Sequence, residues 1–514
     1  MGQLFALILF AIIMYVVLIN FFKRFLGLSQ ASEQALILSI FKGIFYPFKY
    51  ILGSVYGVFH LEGFLGSRDR GKLLSRWNKG LLIDSKNNLR LNEEHSFMNL
   101  LVHATTGGGK TSSFIVPMIL DKATHRRNSM FVLDPKGEIL DLVGGYLQRR
   151  GYNVIKLDPN DLISSTGFNV LEFVQNTADV EYIMRSLLMS STNSSSDSSS
   201  RFWEESAIAL LSLISNLLIA IGDKQFINLP NVKYLLNNFA NQSNYEIDKL
   251  VMKYGNADLI MEYRQIKSYE DAVLLSILAT ASMALAPIAN NDSLKRIMAS
   301  PSFDFKRMRT EKIALFLSIP VQQSSQYSFL VSSFISSMMY NGIIDEMPKK
   351  YENSVYMFMD EIGSFKIHDI DKYLVVTRGY RVSAVLAIQS VNQIKNLYGQ
   401  AASEVILEGG IANKVFFGGA SNNLTREISS MIGKKQTLVQ GRAVLQDVMQ
   451  ASDVRTLKRG EVLVFLQSSK PFIQKIIPYF KHSKFKHATK TKFRPQNTEN
   501  IVDYVEYINL QGVI

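Results

Sequence analysis

The sequence predicts an α/β protein, a parallel sheet with helices on both faces, interrupted by an all-α insertion. Three observations carry this. The apolar run Phe97-Met98-Asn99-Leu100-Leu101-Val102 leads into the glycine-rich stretch His103-Ala104-Thr105-Thr106-Gly107-Gly108-Gly109-Lys110-Thr111-Ser112 and then into a helical pattern from Ser113. Strand-like and helix-like segments alternate from there to about residue 168 and resume near residue 301, the order that builds parallel sheets. Between Asn169 and Ala299 only helical spacing remains, as in Ala207-Ile208-Ala209-Leu210-Leu211 and Ala272-Val273-Leu274-Leu275.

Strand, glycine-rich loop, lysine with a hydroxyl, then helix is the P-loop arrangement. Gly107, Gly108 and Gly109 can expose bare backbone N–H groups to phosphate oxygens, and the helix N-terminus adds partial positive charge there. Residues 106–112, Thr106 through Ser112, are therefore the expected nucleotide cradle. Lys110 would reach the β- and γ-phosphates of ATP, and Thr111 would ligate Mg²⁺. Two residues depart from the pattern: Ala104 stands where a glycine is usual, and Pro117 should kink the following helix.

Towards the N-terminus, Leu4 to Phe22 is apolar except for Asn20 and long enough to cross a membrane. With no basic stretch before it and no small-residue cleavage site after it, it reads as an anchor. A second apolar stretch, Ala35 to Leu61, contains Lys42, Pro47 and Lys49. It is either a second span or a helix lying in the interface. Arg68, Arg70, Lys72, Arg76 and Lys79 follow and place the rest of the chain on the cytoplasmic side.

After the P-loop helix, Ser129 to Leu133 reads as a strand ending at Asp134-Pro135-Lys136-Gly137-Glu138, a helix follows to Arg150, and Tyr152 to Leu157 is another strand. Asp134 is either a turn former or a site carboxylate at a strand's carboxyl end. The insertion opens on the serine-rich stretch Ser190 to Ser200, expected to be mobile. Gln225 to Tyr245, rich in Asn and aromatics, is either a single-stranded nucleic acid surface or a helical packing face. Beyond it, Ile313 to Ile319 and Val355 to Met359 are strands, the second delivering Asp360-Glu361 at its carboxyl end. Asp360 would hold Mg²⁺ and Glu361 would polarise the attacking water. Val382 to Ile388 ends at Gln389, and a strand beside the Asp-Glu strand would set Gln389 next to the γ-phosphate. Arg378 or Arg381, ahead of that strand, could act as an arginine finger on a neighbouring subunit's nucleotide. Val415 to Phe417 and Glu461 to Leu466 read as late strands.

The 514 residues carry no cysteine, which excludes disulfides and thiolate metal sites, and a net charge of +12 points to an anionic partner such as nucleic acid or a membrane surface.

The anchor, Thr106 to Thr111, Asp134 to Glu138, Phe168-Asn169-Val170-Leu171, Phe202-Trp203, Asp360-Glu361, Arg378-Gly379, Gln389-Ser390 with Gln393 and Tyr398-Gly399, and the Ser429 to Gly433 region occur in that order. As an ordered set they resemble the type IV coupling proteins, the TraG-type membrane ATPases of conjugation and type IV secretion. That family also carries a proline in its P-loop helix. The resemblance implies a RecA-like P-loop NTPase domain in two parts, 65–168 and 301–480, around an all-α domain at 169–300. A membrane anchor at 1–64 would precede them, and a basic, mobile tail at 481–514 would follow. It further implies ATP with Mg²⁺, a homo-hexamer in the bacterial cytoplasmic (inner) membrane, and contact with type IV secretion channel components. The cargo would be single-stranded DNA with its relaxase, effector proteins, or both. By its distance from Gln389, Arg378 rather than Arg381 is the residue that acts across the subunit interface. The alternatives are an FtsK-like double-stranded DNA translocase and a membrane receptor that holds nucleotide only as a structural ligand.

Overall fold

The computed structural model describes residues 64–191, 198–239, 245–439, 442–495 and 501–510. The apolar anchor stretches and six residues of the serine-rich stretch, 192–197, lie outside them. Nine strands form the main sheet: β1 (Leu100–His103), β2 (Asn128–Leu133), β3 (Asn153–Leu157), β4 (Ile313–Leu317), β5 (Ser354–Met359), β6 (Val382–Ile388), β7 (Asn413–Phe417), β8 (Glu461–Leu466) and β9 (Phe472–Lys475). Their spatial order is β9-β8-β7-β1-β6-β5-β2-β4-β3. From β7 to β3 every neighbour is parallel. β8 and β9 then extend the edge antiparallel. β9 carried no sequence expectation; its buried–exposed alternation marks an edge strand with one covered face.

Successive strand residues point to opposite faces, and the core divides accordingly. Leu100, Val102, Met130, Val132, Phe316 and Phe358 meet Phe114, Ile115, Ile119, Ile139 and Val143 on one side. Leu101, Phe131, Leu133, Leu315, Met357 and Leu386 meet Phe334 and the helix Ser324–Met338 on the other. The expected parallel α/β architecture is thus the one found, with helices on both faces.

The kink expected at Pro117 takes the form of a π-turn. Residues Thr111–Ile115 are wound wider, with the Val116 N–H bonded to the Thr111 carbonyl, and the α-helix Val116–Lys122 starts just before the proline. The wider register relieves the clash a proline ring makes with the carbonyl four residues back.

Among the described residues, seven α-helices run from Thr177–Ser191 to Asp292–Ala299 between β3 and β4, and the short helix Arg307–Thr310 follows them. Their root is an aromatic cluster in which Phe168 and Phe305 lie 5.0 and 5.2 Å from Phe334, ring centre to ring centre. Asn169 fixes the chain's entry, accepting from the Leu171 N–H and donating to the Ile227 carbonyl at 2.7 Å. The Asn-rich segment resolves as a packing face: Leu229, Val232, Leu235, Leu236 and Phe239 are buried along the helix Leu229–Phe239. Two helices of this region, Arg201–Ile221 and Asp271–Ala289, are long and apolar enough to cross a membrane by length and composition alone. They pack on each other within the helical bundle.

The segment expected to be a mobile tail is docked where it is described. Phe485 and Ala488 are buried under the sheet-side helices, Arg494 exchanges two backbone hydrogen bonds with the Gln148 amide, and Ile508 donates its N–H to Asn231 at 3.0 Å. Composition suggested solvation because the segment is basic; its few apolar residues fall where the body leaves grooves. Residues Lys434–Val439 and Arg442–Asp447 form an antiparallel hairpin, with Lys434 opposite Asp447.

Candidate functional site

The site stands at the carboxyl ends of β1, β6 and β5, which are adjacent in that order. Ala104 donates to the Ile388 carbonyl at 3.1 Å and continues β1 on ordinary backbone, so alanine serves where glycine is usual. The loop then turns on Gly107 and Gly109, both at positive φ. At Gly108 a Cβ would stand 2.9 Å from the Thr105 carbonyl oxygen, too close for any side chain. The three glycines are therefore backbone requirements, and Gly107 and Gly108 are exposed to what binds above them.

Below the loop, three buried charges meet. The Lys110 ammonium donates to Glu361 Oε1 at 2.8 Å and lies 3.7 Å from Asp360 Oδ1. Thr111 donates its hydroxyl to Asp360 Oδ2 at 2.7 Å. Thr106 donates to Gln389 Oε1 at 2.7 Å, and the Gln389 amide donates to Glu361 Oε2. Ser112 turns its hydroxyl back to the Gly109 carbonyl at 3.2 Å. Lys110, Thr111, Thr106, Asp360, Glu361 and Gln389 are thus one connected network, built from residues 251 positions apart.

Electrostatics separate the two acids. Burial pushes the Asp360 carboxyl up against the opposing pull of Lys110 and Thr111. Burial would also raise Glu361, but the Lys110 hydrogen bond and charge and the Gln389 amide outweigh it and hold that carboxyl below its ordinary range. Glu361 also sits at φ 55°, in the left-handed region, a conformation a glutamate keeps only when its surroundings impose it.

Asp134 forms the turn that one of its two readings expected, its carbonyl accepting the Gly137 N–H at 3.2 Å. It lies at the carboxyl end of β2, and its Oδ2 accepts the Leu140 N–H at 2.9 Å, tying down the helix Glu138–Arg149. Burial, with the Asp360 charge adding, pushes it up to about 6.

Arg378 and Arg381 are not brought to this site. Both precede β6, at its amino end, and seven strand residues separate them from Gln389, about 20 Å at the rise of a β-strand. Arg378 is exposed, whereas Arg381 donates to the Lys349 and Glu352 carbonyls. Two further contributors had only weak sequence signals. Gly419, in the Gly-Gly pair after β7, closes on Thr105, its Cβ position 3.3 Å from the hydroxyl. Tyr398 ties the helix after Gln389 to the loop after Glu361, accepting the Ile367 N–H at 2.9 Å and donating to the Phe365 carbonyl at 3.2 Å. Glycines at a strand's carboxyl end, and a tyrosine immediately before Gly399, were the only hints.

The family model described as Type IV secretory system Conjugative DNA transfer matches residues 72–500. Among solved structures, the plasmid coupling protein TrwB in complex with ADP and Mg²⁺ is similar, with a TM-score of 0.63 at 16% identity over 81% of this chain and 93% of that one. TrwB with the non-hydrolysable GTP analogue GDPNP gives 0.63 at 15% identity, over 86% and 96%. The unbound monoclinic form of the conjugative coupling protein TrwBdeltaN70 gives 0.62 at 15% identity, over 86% and 94%. No curated protein matches the chain by sequence.

Proposed function

Because the chain belongs to the type IV secretory system conjugative DNA transfer family, we propose that it is a membrane-anchored ATP hydrolase of the bacterial cytoplasmic membrane. As a homo-hexamer it recruits single-stranded DNA with its relaxase, effector proteins, or both, and drives them into a type IV secretion channel. One observation carries the hydrolase assignment: Lys110 and Glu361 pair at 2.8 Å beside Asp360 and Thr111 at the carboxyl edge of a parallel sheet, the edge where such sheets take their ligands.

Thr111 and Asp360 fit Mg²⁺, since a hydroxyl and a carboxylate oxygen within 2.7 Å of each other are a hard, all-oxygen donor pair. When bound, the ion neutralises charge on the β- and γ-phosphates. Lys110 transfers its ammonium from Glu361 to the phosphates. Glu361 thereby loses the cation that holds its carboxyl low and becomes the stronger base towards a water, while Gln389, bonded to both Thr106 and Glu361, reports whether the γ-phosphate is present. Arg378, too far from its own chain's site, acts on the nucleotide of the neighbouring copy. A finger of this kind requires a head-to-tail interface, and such interfaces close into rings.

The test is ATP turnover by the full chain in detergent, with and without single-stranded DNA, for wild type and Lys110→Ala. We expect turnover to fall at least about a hundred-fold in the variant. Unchanged turnover would overturn the motor assignment.

A further inference from the structure

Ahead of the main sheet the chain builds a small sheet of its own. The helix Ser67–Leu73 leads into three short antiparallel strands, Leu74–Ser75, Leu82–Asp84 and Leu89–Leu91, the last lying between the other two. Trp77 stands on the first loop of this sheet, sixteen positions after Leu61, where the second apolar stretch ends. It is 92% exposed, the highest value of any large apolar side chain among the described residues.

A single exposed apolar residue is ordinary, but Trp77 stands among cations. Arg76, Lys79 and Lys86 are all exposed. The loop 76–79 meets the turn 85–88, because Arg76 Nε donates to the Asn87 carbonyl at 3.0 Å. From Lys72 to Asn92 the one acid is Asp84. It is buried and accepts the Asn87 N–H and side-chain amide at 3.0 and 2.7 Å. Lys72 is taken by Asp69, whereas Arg76, Lys79 and Lys86 make no ion pair among the described residues.

The loop is also braced from behind. Buried Arg90 grips Asp121 and donates to the Arg76 and Asn88 carbonyls at 2.8 and 3.2 Å. Asn78 donates to the Arg90 carbonyl at 3.0 Å, and Lys122 donates to the Lys79 carbonyl. Asp121 and Lys122 are the last residues of the helix Val116–Lys122 that continues from the P-loop. A tip held in this way presents its ring without a further ordering cost, and whatever it touches is joined to the helix behind the nucleotide loop.

We propose that this tip docks on an anionic lipid surface, with Trp77 at headgroup level and Arg76, Lys79 and Lys86 against lipid phosphates. Indole favours the membrane–water interface, being apolar over its rings and polar at one N–H. Anionic headgroups attract basic side chains held near them. Lipid is favoured over other anions by the chain itself: two apolar stretches end shortly before the tip, so an anchored chain delivers it to the bilayer at high effective concentration. Docking fixes how the P-loop helix stands against the membrane, which a flexible tether alone does not do. The inference rests on the membrane-anchored reading for that delivery, and the experiment reads anchor and tip separately.

The full chain is reconstituted into nanodiscs of brominated phosphatidylcholine, with and without phosphatidylglycerol, and tryptophan emission is recorded. The chain holds two tryptophans, Trp77 and Trp203, so the difference between wild type and Trp77→Phe isolates Trp77. All substitutions fall on exposed positions, and thermal midpoints confirm folding. We expect bromine to quench Trp77, more strongly with phosphatidylglycerol and less at high salt. Lys79→Gln with Lys86→Gln should shift the balance towards the undocked tip about thirty-fold. Equal emission in brominated and unbrominated discs would overturn the proposal, as for a ring covered by a second copy or another protein. So would quenching relieved by oligo-dT, the mark of a nucleic acid surface, or quenching indifferent to phosphatidylglycerol, salt and the two lysines. Flotation with liposomes after a carbonate wash reads the anchor. A chain that floats with Trp77 unquenched strikes the docking alone; quenching by added liposomes without flotation strikes the anchor alone.

Discussion

At the amino ends of β1, β5 and β6 the protein closes off its buried charges, whereas at the carboxyl ends of the same strands the charges hold one another. At the amino end, Arg90 grips Asp121 through two bonds of 2.6 and 2.7 Å and donates to the Arg76 carbonyl. Lys122 donates to the Lys79 carbonyl and lies 3.8 Å over the Tyr356 ring. Arg309 binds the carbonyls of Asn353, Ile343 and Tyr380. Lys122 and Arg309 are thus held by backbone carbonyls and a ring, and Arg90 by a buried carboxylate. At the carboxyl end, Lys110, Asp360, Glu361 and Gln389 are satisfied by one another and by the Thr106 and Thr111 hydroxyls. Burial of charge is common to both ends, and only the carboxyl-end group lies beside the glycine loop.

The sharpest way to break this contrast is Glu361→Gln. If the carboxylate is the base, ATP turnover falls about 10²- to 10⁴-fold while nucleotide binding persists, read by single-turnover hydrolysis and equilibrium binding. Retained turnover would mean the pair with Lys110 is structural, like those at the amino end. The converse substitution, Arg90→Met, leaves Asp121 buried and uncompensated. It should cost about 3–5 kcal/mol of stability in urea unfolding, with per-molecule turnover of the folded fraction unchanged. A catalytic defect without loss of stability would erase the difference between the ends.

Asp134 lies between the two cases, a carboxylate at the ligand edge but locked by backbone N–H groups. Its folded value of about 6 stands above the ordinary 3.8, so the folded chain holds an extra proton between those values. The associated stability is present below about pH 4 and lost as pH rises through 6. Asp134→Asn removes that slope. Relative to the variant, wild type should lose on the order of 3 kcal/mol across the interval, measured by thermal melts without nucleotide. Parallel melts would place Asp134 with the unperturbed surface acids.

Local chemistry was legible in the sequence where neighbours along the chain decide it. The glycines around Lys110, the acid pair after an apolar strand and Gln389 after another can each be recognised because their spacing is short and their backbone demands are specific. Arg378 and Arg381 differ by three positions, and it was the family resemblance, through the distance from Gln389, that favoured Arg378. The structure separates them by occupation: Arg381 is spent on the Lys349 and Glu352 carbonyls, and Arg378 is exposed. The docking of residues 483–495 and 501–510 was illegible because charge dominates their composition, while a few apolar side chains and the Asn231 amide decide where they lie.

The sequence by itself determined the element types, the single helical insertion and the loop that needs three glycines, since these follow from period, backbone sterics and neighbouring residues. Only the tertiary structure decided that β6 lies between β1 and β5 and so delivers Gln389 between Thr106 and Glu361. Strands buried on both faces are uniformly apolar and carry no mark of which strand lies beside them; that order is set by packing among segments some 251 residues apart.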